Sequence, residues 1–305
     1  MGSLAFLLDM LAEALISIRW EITESIVRNS KEPMFGLLVI LSFSLLFVLI
    51  AAVMTAYISP YAAGSGVAET MGILNGVSYP GFITMRALLV KFMGVALAVA
   101  GGLTVGKEGP LVHMGAIVGS AVPYIPIPIA SYFRNDFEKR KLISVGVAAG
   151  VSAAFGAPIG GALFAYELSK PNTFWSFSLT WKVFFASTVS TFTLSLFKQL
   201  EEGLYNHLTV SSSEIIKLGT TQSAPSLDSL FGAVVLGVIG GLLGAIFIFV
   251  NNKINMIRKK ILGTSKSKKI TEALILTILT VTIMYMAITF NYWHANNNGI
   301  YQGDT

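Results

Sequence analysis

A lysine and a glutamate, Lys107-Glu108, stand between two stretches that carry almost no charge. Upstream, Ala87–Val105 is apolar apart from Lys91; downstream, Leu111–Ile129 has no formal charge. Both runs approach the roughly 20 apolar residues that cross a hydrocarbon core. Ionisable residues at such depth are costly and face a polar path rather than lipid. Gly106, Gly109 and Pro110 break one helix and open another, leaving free backbone N–H groups and a positive helix end at Glu108. Such an end attracts anions. The pattern predicts broken helices around an anion path, with a carboxylate standing in it.

The bulk numbers set the solvent. Of 305 residues, 54% are hydrophobic and 12% charged, and the mean hydropathy is +0.71. Soluble domains carry about 25% charged residues, so the reading is an all-α, multi-pass integral membrane protein. No cysteine is present, which excludes disulfides, thiolate metal sites and cysteine nucleophiles. The net charge of +5 is local and reads as membrane topology, with no nucleic-acid partner. Met1–Ile18 is amphipathic, containing Asp9 and Glu13, and has neither a basic leader nor a small-residue cleavage site.

Along the chain, apolar helices are expected at Pro33–Tyr57, Ala87–Leu103, Trp181–Phe197, Leu230–Val250 and Ile270–Phe290. Shorter ones are expected at Gly109–Val122, Leu142–Ala154 and Pro158–Leu168. Arg134, Lys139, Arg140 and Lys141 mark a solvent-facing loop, and residues 199–226 a polar extramembrane connection. Arg258, Lys259, Lys260, Lys266, Lys268 and Lys269 form the strongest positive cluster, placing that connection on the cytoplasmic side. Glycine- or proline-rich interruptions occur at Gly64–Gly66, Gly106–Pro110 and Gly156–Pro158. Irregular backbone at membrane depth is tolerated where it lines a cavity or is buried in protein. Close helix packing accounts for Gly101, Gly102, Gly240, Gly241 and Gly244.

Two decoys fall away. Gly101-Gly102-Leu103-Thr104-Val105-Gly106-Lys107 fits a phosphate loop until Glu108 replaces the required Ser/Thr, and a carboxylate there repels phosphate. With His113, His207 and His294 as its histidines, the chain offers no metal-ligand spacing and no hydrolase motif. An enzyme is therefore not expected, nor is a metal or cofactor.

Gly64-Ser65-Gly66-Val67-Ala68-Glu69, then Gly106-Lys107-Glu108-Gly109-Pro110 with His113, then Ala149–Gly161 occur in the order of three family signatures. Together they resemble the CLC family of chloride channels and chloride/proton exchangers. Phe133–Arg140 and Ser190–Leu194 look most like its intracellular, endosomal–lysosomal branch. The resemblance implies an inverted-repeat fold. Residues 1–198 would be the first repeat with the anion-site motifs, 199–226 a connection, and 227–305 the start of the second repeat. It implies a homodimer through the helices around residues 158–198, chloride as the transported ion, and Glu108 as the gate competing with it. Gly64, Ser65, Gly66, Gly106, Lys107, Gly109 and Pro110 would form the anion-binding set, Ser65 contributing its hydroxyl. His113 reads as a hydrogen-bonded helix residue.

Departures qualify this. Exchangers of the family usually read Phe-x-x-Glu-Glu where this chain reads Phe164-Ala165-Tyr166-Glu167-Leu168. Leu168, at the proton-glutamate position, binds no proton, which favours channel-like or weakly proton-coupled transport. Ala68 replaces a usual proline, while the retained Ser65 favours chloride. The later Gly-x-Phe-x-Pro signature is missing from the 305 residues. The expectation is a partial chain without a pore of its own. Alternatives are a chloride/proton exchanger fragment and a non-conducting subunit that regulates full-length partners.

Overall fold

The computed structural model describes residues 1–30, 33–126, 132–170, 174–201 and 227–297. Most of the connection expected at 199–226 lies outside them. Among the described residues all regular structure is helical. The helices are α1 (Gly2–Ser30), α2 (Pro33–Val53), α3 (Val67–Leu74), α4 (Met85–Ala100), α5 (Glu108–Ala121), α6 (Asp136–Phe155), α7 (Pro158–Ser169), α8 (Phe177–Glu201), α9 (Leu227–Leu262) and α10 (Lys266–Asn297). A π-helical turn, Met54–Ile58, extends α2.

Three helices among the described residues are long and apolar enough to cross a membrane: Met34–Ile58, Leu230–Leu262 and Lys266–Thr289. By contrast α3, α5 and α7 have 8, 14 and 12 residues, or roughly 12, 21 and 18 Å at 1.5 Å per residue. None of these spans about 30 Å of hydrocarbon. Each of the three begins at one of the glycine- or proline-rich interruptions. The chain is a multi-pass integral membrane protein.

The structure divides into two units, Met1–Ile215 with Ile270–Thr305, and Ile216–Lys269. The first is built on α5 and α6. Gly115 and Gly119 of α5 lie against Gly146 and Gly150 of α6 so closely that a Cβ on any of them would meet the other helix's backbone. Small residues four apart on both helices allow this approach. Around the pair, one apolar cluster joins Val112, Val147, Leu168, Leu179 and Val183. Another joins Leu8, Ala96, Leu111, Met114 and Leu194. Hydrogen bonds tie α8 to α6: Ser190 donates to the Ala149 carbonyl (2.8 Å) and Thr191 to the Ser152 carbonyl (3.2 Å).

Arg19 of α1 is 3% exposed. Its guanidinium donates to Ser44 Oγ of α2 (3.1 Å), lies beside Gly102, and leaves Nε unpartnered among the described residues.

One difference from expectation has a local cause. Helix α6 starts at Asp136, so Lys139, Arg140 and Lys141 sit in its opening turns rather than in a loop. Asn135 accepts the Glu138 N–H at 2.7 Å, and Asp136 and Glu138 complement the helix dipole. Helix α1 runs through its charged residues to Ser30. Close packing occurs at Gly101 and at the α5–α6 glycines, while Gly240, Gly241 and Gly244 lie on α9 of the second unit.

The second unit contains α9, which runs as one helix to Leu262 and turns at Gly263 (φ +53°). Lys268 donates back to the Ile261 carbonyl at 3.3 Å.

Candidate anion site

The first two interruptions come together at the N-termini of α3 and α5. Gly66 caps α3 in the left-handed region, at φ +80°. Gly109, in the first turn of α5, packs so closely on the preceding loop that a Cβ there would stand 2.7 Å from Ser65 Cβ. Ser65 is exposed and Glu108 half-buried. The Glu108 carboxylate folds back over Gly106, filling the space that a side chain on residue 106 would take. Pro110 lacks an N–H in a turn where helix amides have no partner anyway. The Val67 N–H donates to Ser65 Oγ at 3.4 Å. That leaves the Ser65 O–H directed elsewhere, with no acceptor among the described residues. Thus Gly64, Ser65, Gly66, Gly106, Glu108, Gly109 and Pro110 gather around two helix ends whose dipoles favour negative charge.

Lys107 points elsewhere. Its ammonium is ion-paired with Asp9 of α1, and the second Asp9 oxygen lies 3.4 Å from Lys198 Nζ of α8. Behind the Gly64–Gly66 loop stands Lys91 of α4, 2% exposed. It donates to the Gly64 and Ser65 carbonyls (3.1 and 3.2 Å) and contacts His113 Nδ1 at 2.8 Å. His113 Nε2 meets the Phe82 carbonyl at 3.0 Å, and its ring stacks on Phe82 with centroids 3.7 Å apart. His113 is a hydrogen-bonded helix residue, as its sequence context suggested.

Leu168 is not at this cluster but is one short helix away from it. Its carbonyl accepts from Asn75 at the C-terminal end of α3 (3.2 Å), while its side chain is buried in the apolar cluster of α5 to α8. Glu167 is exposed and pairs with Lys170 at 3.5 Å.

Sequence reasoning did not assign Asp9 or Lys91 to the site. Each carried a signal, a carboxylate in an amphipathic apolar helix and a lone cation in an apolar run. Their partners lie 98 and 26 residues away, beyond the reach of local periodicity.

Three helices too short to cross a bilayer, two of them beginning at one shared polar cluster, mark a broken-helix membrane fold. A family model described as voltage gated chloride channel matches residues 47–303. The chain belongs to that family, the CLC proteins. It is 36% identical over 300 residues to the H(+)/Cl(-) exchange transporter 7 of Mus musculus, covering 94% of this chain and 37% of that protein. The Homo sapiens protein of the same name gives the same figures. Chloride channel protein C of Dictyostelium discoideum is 35% identical over 295 residues, 94% of this chain and 38% of that protein. The chain spans little more than a third of the length of these relatives. Two solved structures share its fold. A eukaryotic CLC transporter matches with a TM-score of 0.72 at 22% identity, over 95% of this chain and 48% of that one. A slow cyanobacterial Cl-/H+ antiporter matches with a TM-score of 0.71 at 24% identity, over 92% and 60%.

Proposed function

We propose that the chain carries part of a chloride pathway of the CLC type, with Glu108 as its gate. The supporting observation is the juxtaposition at the two helix ends: Gly109 packed on Ser65, with the Glu108 carboxylate folded over Gly106 beside them. A hydroxyl and helix-end amides solvate an anion without a full cation, which would hold it too tightly for release. An anionic carboxylate at the same place competes with halide, and protonation removes the competition. Gly64, Gly66, Gly106, Gly109 and Pro110 shape the backbone, while Lys107, paired with Asp9, anchors the turn. Chloride is the cargo and no cofactor is required.

Leu168 supports channel-like or weakly proton-coupled movement, because a buried leucine offers no proton site and Glu167 faces outward. The relatives include both an exchange transporter and a channel protein, and the likeness of Phe133–Arg140 and Ser190–Leu194 to the endosomal–lysosomal branch supports an intracellular membrane for this chain. Residues 1–198 and 227–305 are assigned to the first repeat and the start of the second. The test is paired chloride and pH recording in proteoliposomes, with the chain alone and co-expressed with a full-length relative. Glu108→Ala removes acid sensitivity and changes chloride throughput; unchanged values in that variant overturn the gate.

A second surface supports a homodimer. Ile159, Leu163, Tyr166, Trp175, Phe177 and Trp181 line an apolar groove of about 490 Å³ on α7 and α8. Isologous packing of two copies buries such a surface. Leu163→Gln with Trp181→Gln gives a monomer by light scattering in detergent. A regulatory subunit would use the same face, and suppression of a co-expressed partner's current identifies that role.

A further inference from the structure

The Lys91 ammonium has three N–H donors and three acceptors: the Gly64 carbonyl, the Ser65 carbonyl and His113 Nδ1. From this saturation we infer that Lys91 is a positioning residue for the anion site, setting the direction in which the Ser65 and Gly66 amides point. The inference rests on the chloride-pathway reading above.

The chain contains no cis peptide bond among its described residues. In a trans peptide the C=O of one residue and the N–H of the next point in opposite directions. With the Gly64 and Ser65 carbonyls turned inward onto Lys91, the N–H groups of Ser65 and Gly66 turn the other way, toward the exposed side of the loop. Ser65 itself is exposed there, whereas Lys91 is 2% exposed. The ammonium thus collects the negative ends of two peptide dipoles and presents the positive ends to an anion.

His113 completes the clamp. Lys91 has only donors, so Nδ1 accepts; Nε2 then carries the proton and donates to the Phe82 carbonyl at 3.0 Å. The assigned tautomer is neutral, held from both sides and sandwiched against the Phe82 ring. Because His113 is on α5, the helix that begins at Glu108, the clamp also fixes the first loop to the helix that carries the gate. Gly66 is the contact point: a Cβ there would come 2.8 Å from the His113 ring.

Charge alone does not do this. Arginine keeps the positive charge but offers a planar fork in place of three tetrahedral donors. The discriminating experiment is chloride titration by calorimetry of the purified chain in detergent, in a Glu108→Gln background that frees the anion position. Lys91→Met lowers chloride affinity by about tenfold or more, the scale of losing charge-assisted hydrogen bonds that hold a scaffold. Lys91→Arg fails to restore it. His113→Leu, which leaves the ammonium one acceptor short, gives a smaller loss in the same direction, and His113→Asn, which keeps an acceptor near Nδ1, gives less still. Thermal melts of each variant separate weakened binding from lost fold. Unchanged affinity in Lys91→Met, or full recovery in Lys91→Arg, overturns the positioning role while leaving the pathway reading intact. Absence of chloride binding in the Glu108→Gln parent overturns that reading and the inference together.

Discussion

Asp9 of α1 accepts an ion pair from Lys107, the lysine of the Gly-Lys-Glu-Gly-Pro turn, while its other oxygen lies 3.4 Å from Lys198 of α8. One carboxylate therefore joins three elements and fixes the residue next to Glu108. Asp9 is largely enclosed, whereas both lysines keep about a third of their side-chain surface. Removing its charge leaves two cations without a counter-ion. Asp9→Asn lowers unfolding stability by about 1–2 kcal/mol, less than a fully buried pair because solvent screens the lysines. Chemical denaturation in detergent measures it. A midpoint equal to wild type shows that the triad contributes nothing.

The left-handed glycines of the first motif separate strain from crowding. Gly64 has φ +69° and open space where a Cβ would go; Gly66 has φ +80° and the His113 ring there. Gly64→Ala loses about 1 kcal/mol from backbone strain alone. Gly66→Ala adds a steric term of about 1–3 kcal/mol and disturbs the Lys91–His113 contact. Paired melts read the difference, and equal losses contradict the crowding at Gly66.

At the α5–α6 crossing the obstacle is main chain. A Cβ on Gly146 runs into the Gly115 carbonyl, which has no rotamer to retreat to. Gly146→Ala loses about 3 kcal/mol or more, the upper end of overpacking effects. Gly160→Ala on α7, whose Cβ would meet only Ala157 Cβ at an ordinary 3.5 Å, loses nothing and gains helix propensity. Helix content against temperature, followed by circular dichroism, ranks the two.

Glu167 provides a clean functional negative. It is exposed and paired with Lys170, so Glu167→Gln leaves chloride flux and any accompanying pH change as they are in the parent. Loss of a proton signal in that variant identifies Glu167 as a carrier and removes the argument built on Leu168.

Much of this architecture was legible in the residues. The broken helices at Gly64–Gly66, Gly106–Pro110 and Gly156–Pro158 follow from local chemistry, since glycine in the left-handed region and proline at a helix start leave few other backbone paths. Gly156, at φ +65°, ends α6 two residues before Pro158 opens α7. Local signals also misled. Basic residues 139–141 look like a loop until the Asn135 cap recruits them into a helix. The α5–α6 glycines look like any other small residues in an apolar run, because what distinguishes them is a partner helix some 30 residues away in sequence, outside the range of helical periodicity. The same limit hid Lys91 and Asp9, whose acceptors and donors are supplied by other elements.

The enclosure of Arg19 bears on how the early helices hold together. On α1 alone its guanidinium would lack its hydrogen-bond partner. Its shelter is the Ser44 hydroxyl, 25 residues further on, and the still later Gly102 backbone. The cation is therefore enclosed by protein only once α1, α2 and the Gly102 turn have come together, which makes the three interdependent for stability.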